Sequence, residues 1–221
     1  MPKLDRRLKV VAQCIRHRVH ADIGSDHGHL LAALLASGRI ERGIAIENKK
    51  QPFENSRATL AGYSADVRFG DGLAGLGAGE ADGLSLCGMG GESIAEILQS
   101  APERVPPRVV LQPNRRPERV RQWALRAGFH LVNEQIVFGH WPYQVIVLER
   151  AQDGVADDPA YEGLHRNAAL LFGPLNLKRR DQRWLARLRD EQHYLQALER
   201  LGEEARLRLD AIEHVLRDFK T

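Results

Sequence analysis

Residues 21–28 read Ala-Asp-Ile-Gly-Ser-Asp-His-Gly, and this run restricts the fold more than any other part of the chain. Residues 19–23 are apolar and β-branched enough for a buried strand. The strand ends in an acid-x-Gly-x-x-x-Gly loop, and residues 30–37 then read as a helix. A strand, a glycine-bearing turn and a helix N-terminus together make a cradle for a nucleotide-like cofactor. Gly24 stands where the backbone must turn tightly and approach a ligand without a Cβ in the way.

The same alternation continues along the chain. Leu4, Leu8, Val11, Ala12 and Ile15 recur at helical spacing and predict an N-terminal helix. After Gly38 stops the next helix, residues 43–46 predict a second strand ending at Glu47, followed by a helix opened by Pro52 and reaching residue 61. Residues 66–69 predict a third strand closed by Gly70-Asp71-Gly72, and residues 83–87 a fourth closed by Gly88-Met89-Gly90-Gly91. Beyond a helix at 92–99, residues 109–111 form a fifth predicted strand ending in Gln112-Pro113-Asn114, with a helix at 116–127 behind it. Two last strands, near 129–137 and 144–148, flank the aromatic loop Gly139-His140-Trp141-Pro142-Tyr143. Strands alternating with helices imply an α/β fold with a parallel sheet covered on both faces. Two late strands without a helix between them add a hairpin and make the sheet mixed. Five βα units and a terminal hairpin are the order of a Rossmann-like class I methyltransferase domain.

Residues 151–159 are polar, with Gly154 and Pro159, and read as a linker. Behind it the composition shifts to Leu, Arg, Glu and Gln. From Leu188 a heptad-like series runs Leu195, Leu198, Ala205, Leu209, Ile212, Leu216, Phe219, broken at Glu191 and Gly202. The break predicts a hairpin of two antiparallel helices. The expected domains are residues 1–155, which bind cofactor, and residues 160–221, helical and coiled-coil-like. Hydrophobic content of 43% and charged content of 28% are ordinary for a globular protein. No stretch approaches the roughly 20 apolar residues that span a bilayer, so no membrane partner is expected. The first residues lack the apolar core of a signal peptide, so the cytoplasm is the expected location; a monomer is the expected state. Cys14 and Cys87 stand far apart, outside any metal-ligand spacing, and read as buried free thiols rather than zinc ligands. A net charge of +3 permits a polyanionic partner.

Acids at the strand ends narrow the cofactor. A dinucleotide loop carries Gly-x-Gly-x-x-Gly so that its middle glycine admits a pyrophosphate, and here that position holds Asp26. A carboxylate repels pyrophosphate but attracts a sulfonium and an ammonium. Asp22 and Asp26 therefore favour S-adenosyl-L-methionine over NAD, with Gly24, Ser25 and His27 completing the loop. Glu47 stands where such folds reach the cofactor ribose, and Asp71, beside Gly72, where an acid accepts from the adenine amino group. Gly88 and Met89 offer backbone groups and close approach after the fourth strand.

Taken together, Asp22-Ile23-Gly24-Ser25-Asp26-His27, Gly70-Asp71-Gly72-Leu73, Gly88-Met89-Gly90-Gly91, Gln112-Pro113-Asn114 and the later Gly173-Pro174-Leu175 resemble the bacterial tRNA adenine-22 N1-methyltransferases. The resemblance spans most of the chain. It departs after His27, where Gly28-His29-Leu30-Leu31 stands for the family's frequent Ala-Tyr-Leu-Pro. It implies S-adenosyl-L-methionine as methyl donor and tRNA as acceptor. Under that reading Asp26 and Asn114 are the candidate catalytic residues. Gln112 and Asn114 would bind the base, Trp141 and Tyr143 would stack on it, and Arg115, Arg116, Arg119 and Arg121 would meet the phosphates with Lys178, Arg179 and Arg180. The residues alone also leave open methylation of another RNA or of a small molecule. A non-catalytic cofactor domain carrying a partner-binding hairpin is a further alternative.

Overall fold

A strand covered on both faces has no polar side to expose, so apolar runs of five or six residues become the middle of a parallel sheet. The computed structural model describes residues 3–139, 142–152 and 157–217. Its strands are β1 (Val19–Ile23), β2 (Arg42–Glu47), β3 (Ala65–Phe69), β4 (Gly83–Cys87), β5 (Arg108–Gln112), β6 (Phe129–Phe138) and β7 (Pro142–Arg150). They form one sheet of order β3-β2-β1-β4-β5-β7-β6. The first five are parallel, while β7 runs antiparallel to both β5 and β6. Every residue of β1 is buried, whereas β3, at the edge, is half-exposed.

The helices of this part are α1 (Arg6–Gln13), α2 (His29–Ala36), α3 (Lys50–Leu60), α4 (Gly91–Ser100) and α5 (Pro117–Arg126). The Asp5 side chain caps α1 by accepting from the Leu8 N–H at 2.7 Å. Helix α3 starts two residues before Pro52, because a proline in the first turn has no intrahelical bond to lose. Val11, Ile15, Leu30, Leu31, Leu34, Ala45 and Leu60 pack on one face of the sheet with Val145 and Val147. Arg121 departs from expectation. It is wholly buried, donating to Glu134 at 2.7 Å and to Gln144 at 2.5 Å, and so cannot contact a phosphate backbone. Its place on the α5 face that carries Val120 and Ala124 turns it inward.

The chain divides into two compact units, Met1–Gly154 and Val155–Thr221. The second unit has its own core. It contains α6 (Arg166–Phe172), α7 (Pro174–Arg179), α8 (Gln182–Gln196) and α9 (Glu203–Arg217). The expected hairpin is α8 and α9, and Glu191, which interrupts the heptad pattern, pairs with Arg208 through both carboxylate oxygens. The buried stripe of α9 is Ala211, Ile212, Val215 and Leu216, while Leu198 is exposed. It is broader than a heptad seam because α6 also packs on α9. Phe172 of α6 meets Trp184 of α8 edge-on at 5.5 Å. Phe219 lies outside the described residues, as do His140, Trp141 and Gly154. No helix among the described residues is long and apolar enough to cross a membrane.

Candidate active site

At β1 and β4 the strand order reverses, since successive crossovers leave toward opposite edges of the sheet, and such a switch point opens a crevice at the carboxyl ends of the strands. A cavity of about 430 Å³ lies there. The β1 loop contributes Asp22, Gly24, Ser25, Asp26 and His27. The β4 loop contributes Gly88 and Met89, and the β5 loop contributes Asn114. Arg7 and Leu8 of α1, His29 and Leu30 of α2, and Cys87 complete the wall.

The β1 loop turns by placing alternate residues in the left-handed region, Gly24 at φ 70°, Asp26 at 58° and Gly28 at 68°. A Cβ on Gly24 would also lie 2.2 Å from Cε of Met89, so the end of that side chain would have to move. Aspartate tolerates the left-handed region better than most residues. The strain at Asp26 is held by its backbone N–H, which donates to the carboxylate of Glu47. That leaves the Asp26 side chain largely exposed, 3.5 Å from Nε2 of His27. Glu47 is buried, and its carboxyl is held above the usual range first by desolvation, then by the nearby charges of Asp22 and Asp26, against the pull of the Asp26 N–H. The rings of His27 and His29 stack with centroids 5.4 Å apart.

Asp22 is buried, and burial pushes its carboxyl up from 3.8 to about 6. The hydrogen bond from Ser85, the nearby Ser25 hydroxyl and the charge of Arg7 act in the opposite direction. Cys87 is half-buried rather than fully buried, as is Cys14. Its thiol is pushed well up by burial and by the charge of Asp22, so it is a neutral wall and not a nucleophile.

The loops after β4 and β5 are separate in sequence but form one structure. The Gly88 N–H donates to the backbone and side-chain oxygens of Gln112 at 3.0 and 3.1 Å. The Asn114 N–H donates to the Met89 carbonyl at 2.7 Å, and Asn114 Nδ2 to the Gly88 carbonyl at 2.7 Å. Gly91 closes the pair, its N–H donating to the Arg115 carbonyl at 2.8 Å. A Cβ on Gly91 would stand 2.1 Å from the Arg116 carbonyl oxygen. Gly91 therefore answers a demand for close approach between the two loops, while Gly88 takes a left-handed φ of 80°.

Several expected site residues stand apart from the cavity wall. Gln112 is fully buried and occupied, accepting from Arg7 and Gly88 and donating to Asn114 at 3.1 Å. Asp71 accepts from Nδ2 of Asn48 at 2.8 Å, and Gly72 takes a left-handed φ of 51° beside it. Both lie at the end of β3. Tyr143, in β7, lies under the guanidinium of Arg7 at 5.9 Å. Arg116 pairs with Glu92 at 3.1 Å and with Glu118 at 3.6 Å, and Arg115 is exposed. Sequence reasoning missed Arg7. It reaches the wall, binds Gln112 and lies over Tyr143, and its only signal was a cation beside the apolar stripe of α1.

The cavity fits S-adenosyl-L-methionine. Two carboxylates, a left-handed acid where a pyrophosphate loop needs glycine, and a cavity of about 430 Å³ suit a compact cation and exclude a diphosphate. Sheet order and site together define a class I S-adenosylmethionine-dependent methyltransferase. The sequence matches the tRNA (adenine(22)-N(1))-methyltransferase family over residues 20–220. It is 32% identical over 204 residues to the Bacillus subtilis tRNA (adenine(22)-N(1))-methyltransferase, covering 89% of this chain and 84% of that one. The chain belongs to this family. The solved structure of the Bacillus subtilis m1A22 enzyme superposes with a TM-score of 0.83 at 28% identity, covering 99% of both chains. Streptococcus pneumoniae Sp1610 in complex with S-adenosyl-L-methionine gives 0.81 at 27% identity, covering 97% of this chain and 100% of that one.

Proposed function

We infer that this chain transfers a methyl group from S-adenosyl-L-methionine to N1 of adenine 22 in tRNA. The observation that carries this reading is the acid-lined cavity at the switch point of a chain whose family, over almost its whole length, bears that activity. S-adenosyl-L-methionine, when bound, supplies an electrophilic methyl on a cationic sulfur. Asp22 and Asp26 give the cavity the negative potential that would hold a cation, Glu47 fixes the backbone of Asp26, and Asp71, beyond the end of β3, would accept from the adenine amino group. Adenine N1 has an in-plane lone pair and is unprotonated at neutral pH, so the chain must supply position rather than a base. The joined loops provide that rigidity. Asn114 stands at the wall with its amide oxygen and nitrogen both fixed, and the carbonyls around it and the carboxylate of Asp26 offset the positive charge of the methylated ring.

N1 lies on the Watson–Crick edge, so the base must leave its stack to react. Tyr143 is proposed as the stacking platform. Arg115, Arg116 and Arg119 beside the mouth, and Lys178, Arg179 and Arg180 of the helical unit, supply the sequence-independent attraction for the phosphates. The cytoplasm, where tRNA is modified, is the proposed location. The deciding experiment incubates the protein with bulk tRNA and labelled donor and maps methylated nucleosides by mass spectrometry. Label in 1-methyladenosine at position 22 is the expected result. Label at another nucleotide, or in none, overturns it.

A further inference from the structure

Two buried polar side chains, Ser85 and His20, and the half-buried His17 run behind the cavity without a part in the function above. Oγ of Ser85, on β4, donates to Oδ1 of Asp22 at 2.5 Å, and the same oxygen lies 3.0 Å from Nε2 of His20. Ser85 and His20 are both fully buried. The ring of His17 stacks on His20, centroids 5.4 Å apart and planes within 3°. His17 in turn lies so close to Gly83 that a Cβ there would meet the ring at 2.4 Å. We propose that Ser85 and His20 are positioning residues that hold Asp22 ionised and aimed into the cavity, setting the pH range over which the protein binds its cationic cofactor.

The direction of the chain follows from counting protons. Burial and the neighbouring His17 push His20 down to about 3, so it is neutral and owns one N–H. Ser85 owns a single proton. When Asp22 is a carboxylate, Ser85 gives it that proton and accepts from Nε2–H of His20. Nδ1 of His20, which has no partner, is then an acceptor left idle. When Asp22 is protonated, the Ser85 hydroxyl meets only a neutral carboxyl, and the bond loses its charge assistance. A hydrogen bond donated to the charged form favours that form, so the chain favours the carboxylate while burial opposes it. The other groups facing Asp22 are Arg7 from α1 and Ser25 from its own loop, which also favour the charge. Glu47 from β2 repels it, and so does ionisation of Cys87 on β4.

The proposal rests on the cofactor reading of this cavity, and the test keeps the two apart. Affinity for S-adenosylhomocysteine is measured by calorimetry from pH 5.5 to 9 for the wild type, Ser85→Ala and Ser85→Thr. The titration of Asp22 in each cofactor-free protein is followed by carboxyl-carbon NMR. Loss of one hydrogen bond to a charge moves the Asp22 midpoint up by about one to two pH units in Ser85→Ala. The ratio of variant to wild-type Kd is then about two- to tenfold at pH 7 and approaches one at pH 9, with the ligand's own titration cancelling. Ser85→Thr, which keeps the hydroxyl, restores the wild-type profile. A Kd ratio that is the same at every pH, or an Asp22 midpoint unmoved by Ser85→Ala, overturns the proposal. Absence of any ligand binding to the wild type overturns the cofactor reading, and the NMR midpoints then decide the chain by themselves.

Discussion

Replacing Asp22 by asparagine is expected to stabilise the protein while weakening its hold on the cofactor. Asp22 is 4% exposed, and its carboxyl titrates at about 6 in the folded protein against 3.8 ordinarily. Between those values the folded state binds more protons than the unfolded one, so this group favours folding most below pH 3.8. Its contribution is lost as pH rises, and the loss is complete above about pH 6. A difference of roughly two pH units corresponds to a cost of about 3 kcal/mol at pH 7 to 8. A side-chain amide at this position would carry no charge and would still offer Ser85 an oxygen. Urea unfolding followed by circular dichroism should therefore find Asp22→Asn more stable by up to about 3 kcal/mol at pH 8, with the gain shrinking to nothing near pH 4. Calorimetry at pH 8 should find S-adenosylhomocysteine bound at least tenfold more weakly. A stability difference that does not change between pH 4 and pH 8, or an asparagine variant less stable at pH 8, would refute the account of Asp22 as an ionised buried acid kept for binding.

The remaining predictions concern the loops and the cations. Asn114→Ala removes the amide that joins Gly88 to Gln112. It should lower kcat by about ten- to a hundredfold, as expected for a misplaced site, while cofactor Kd changes less than threefold; equal losses in both would reduce Asn114 to a cofactor contact. Asp71→Ala should raise cofactor Kd by about fivefold, the worth of one hydrogen bond, and an unchanged Kd would remove Asp71 from the site. Arg121→Met leaves the Glu134 charge buried without its cation and should cost about 3–5 kcal/mol of stability. An unfolding curve like the wild type's would contradict the buried pair.

The elements of the first unit were legible because their signals are local. The runs at β1 and β4 are bounded by loops that cannot continue a strand, and the predicted limits of both coincide with the observed ones. The acid in place of the middle glycine spoke for a cation before any geometry was known. Helices α6 and α7 were not legible, since Leu-rich stretches flanked by Gly173 and Pro174 carry no long-period signal, and the packing of α6 on α9 is what widened its buried stripe. Arg121 shows the same limit from the other side. A cluster of arginines in sequence says nothing about which of them a helix turns inward.

By itself, then, the chain's order of apolar runs, glycines and acids determined a parallel sheet with a terminal hairpin and a cleft for a cation at its carboxyl edge. Those features depend on neighbours a few residues apart and on charge type, both written in the linear order. Only the tertiary structure decided that the glycines after β4 serve the loop after β5, that Arg7 reaches the wall from the N-terminal helix, and that His20 and Ser85 stand behind Asp22. Each of these joins residues tens of positions apart, and their hydrogen bonds depend on ångström-scale register between elements that no local pattern records.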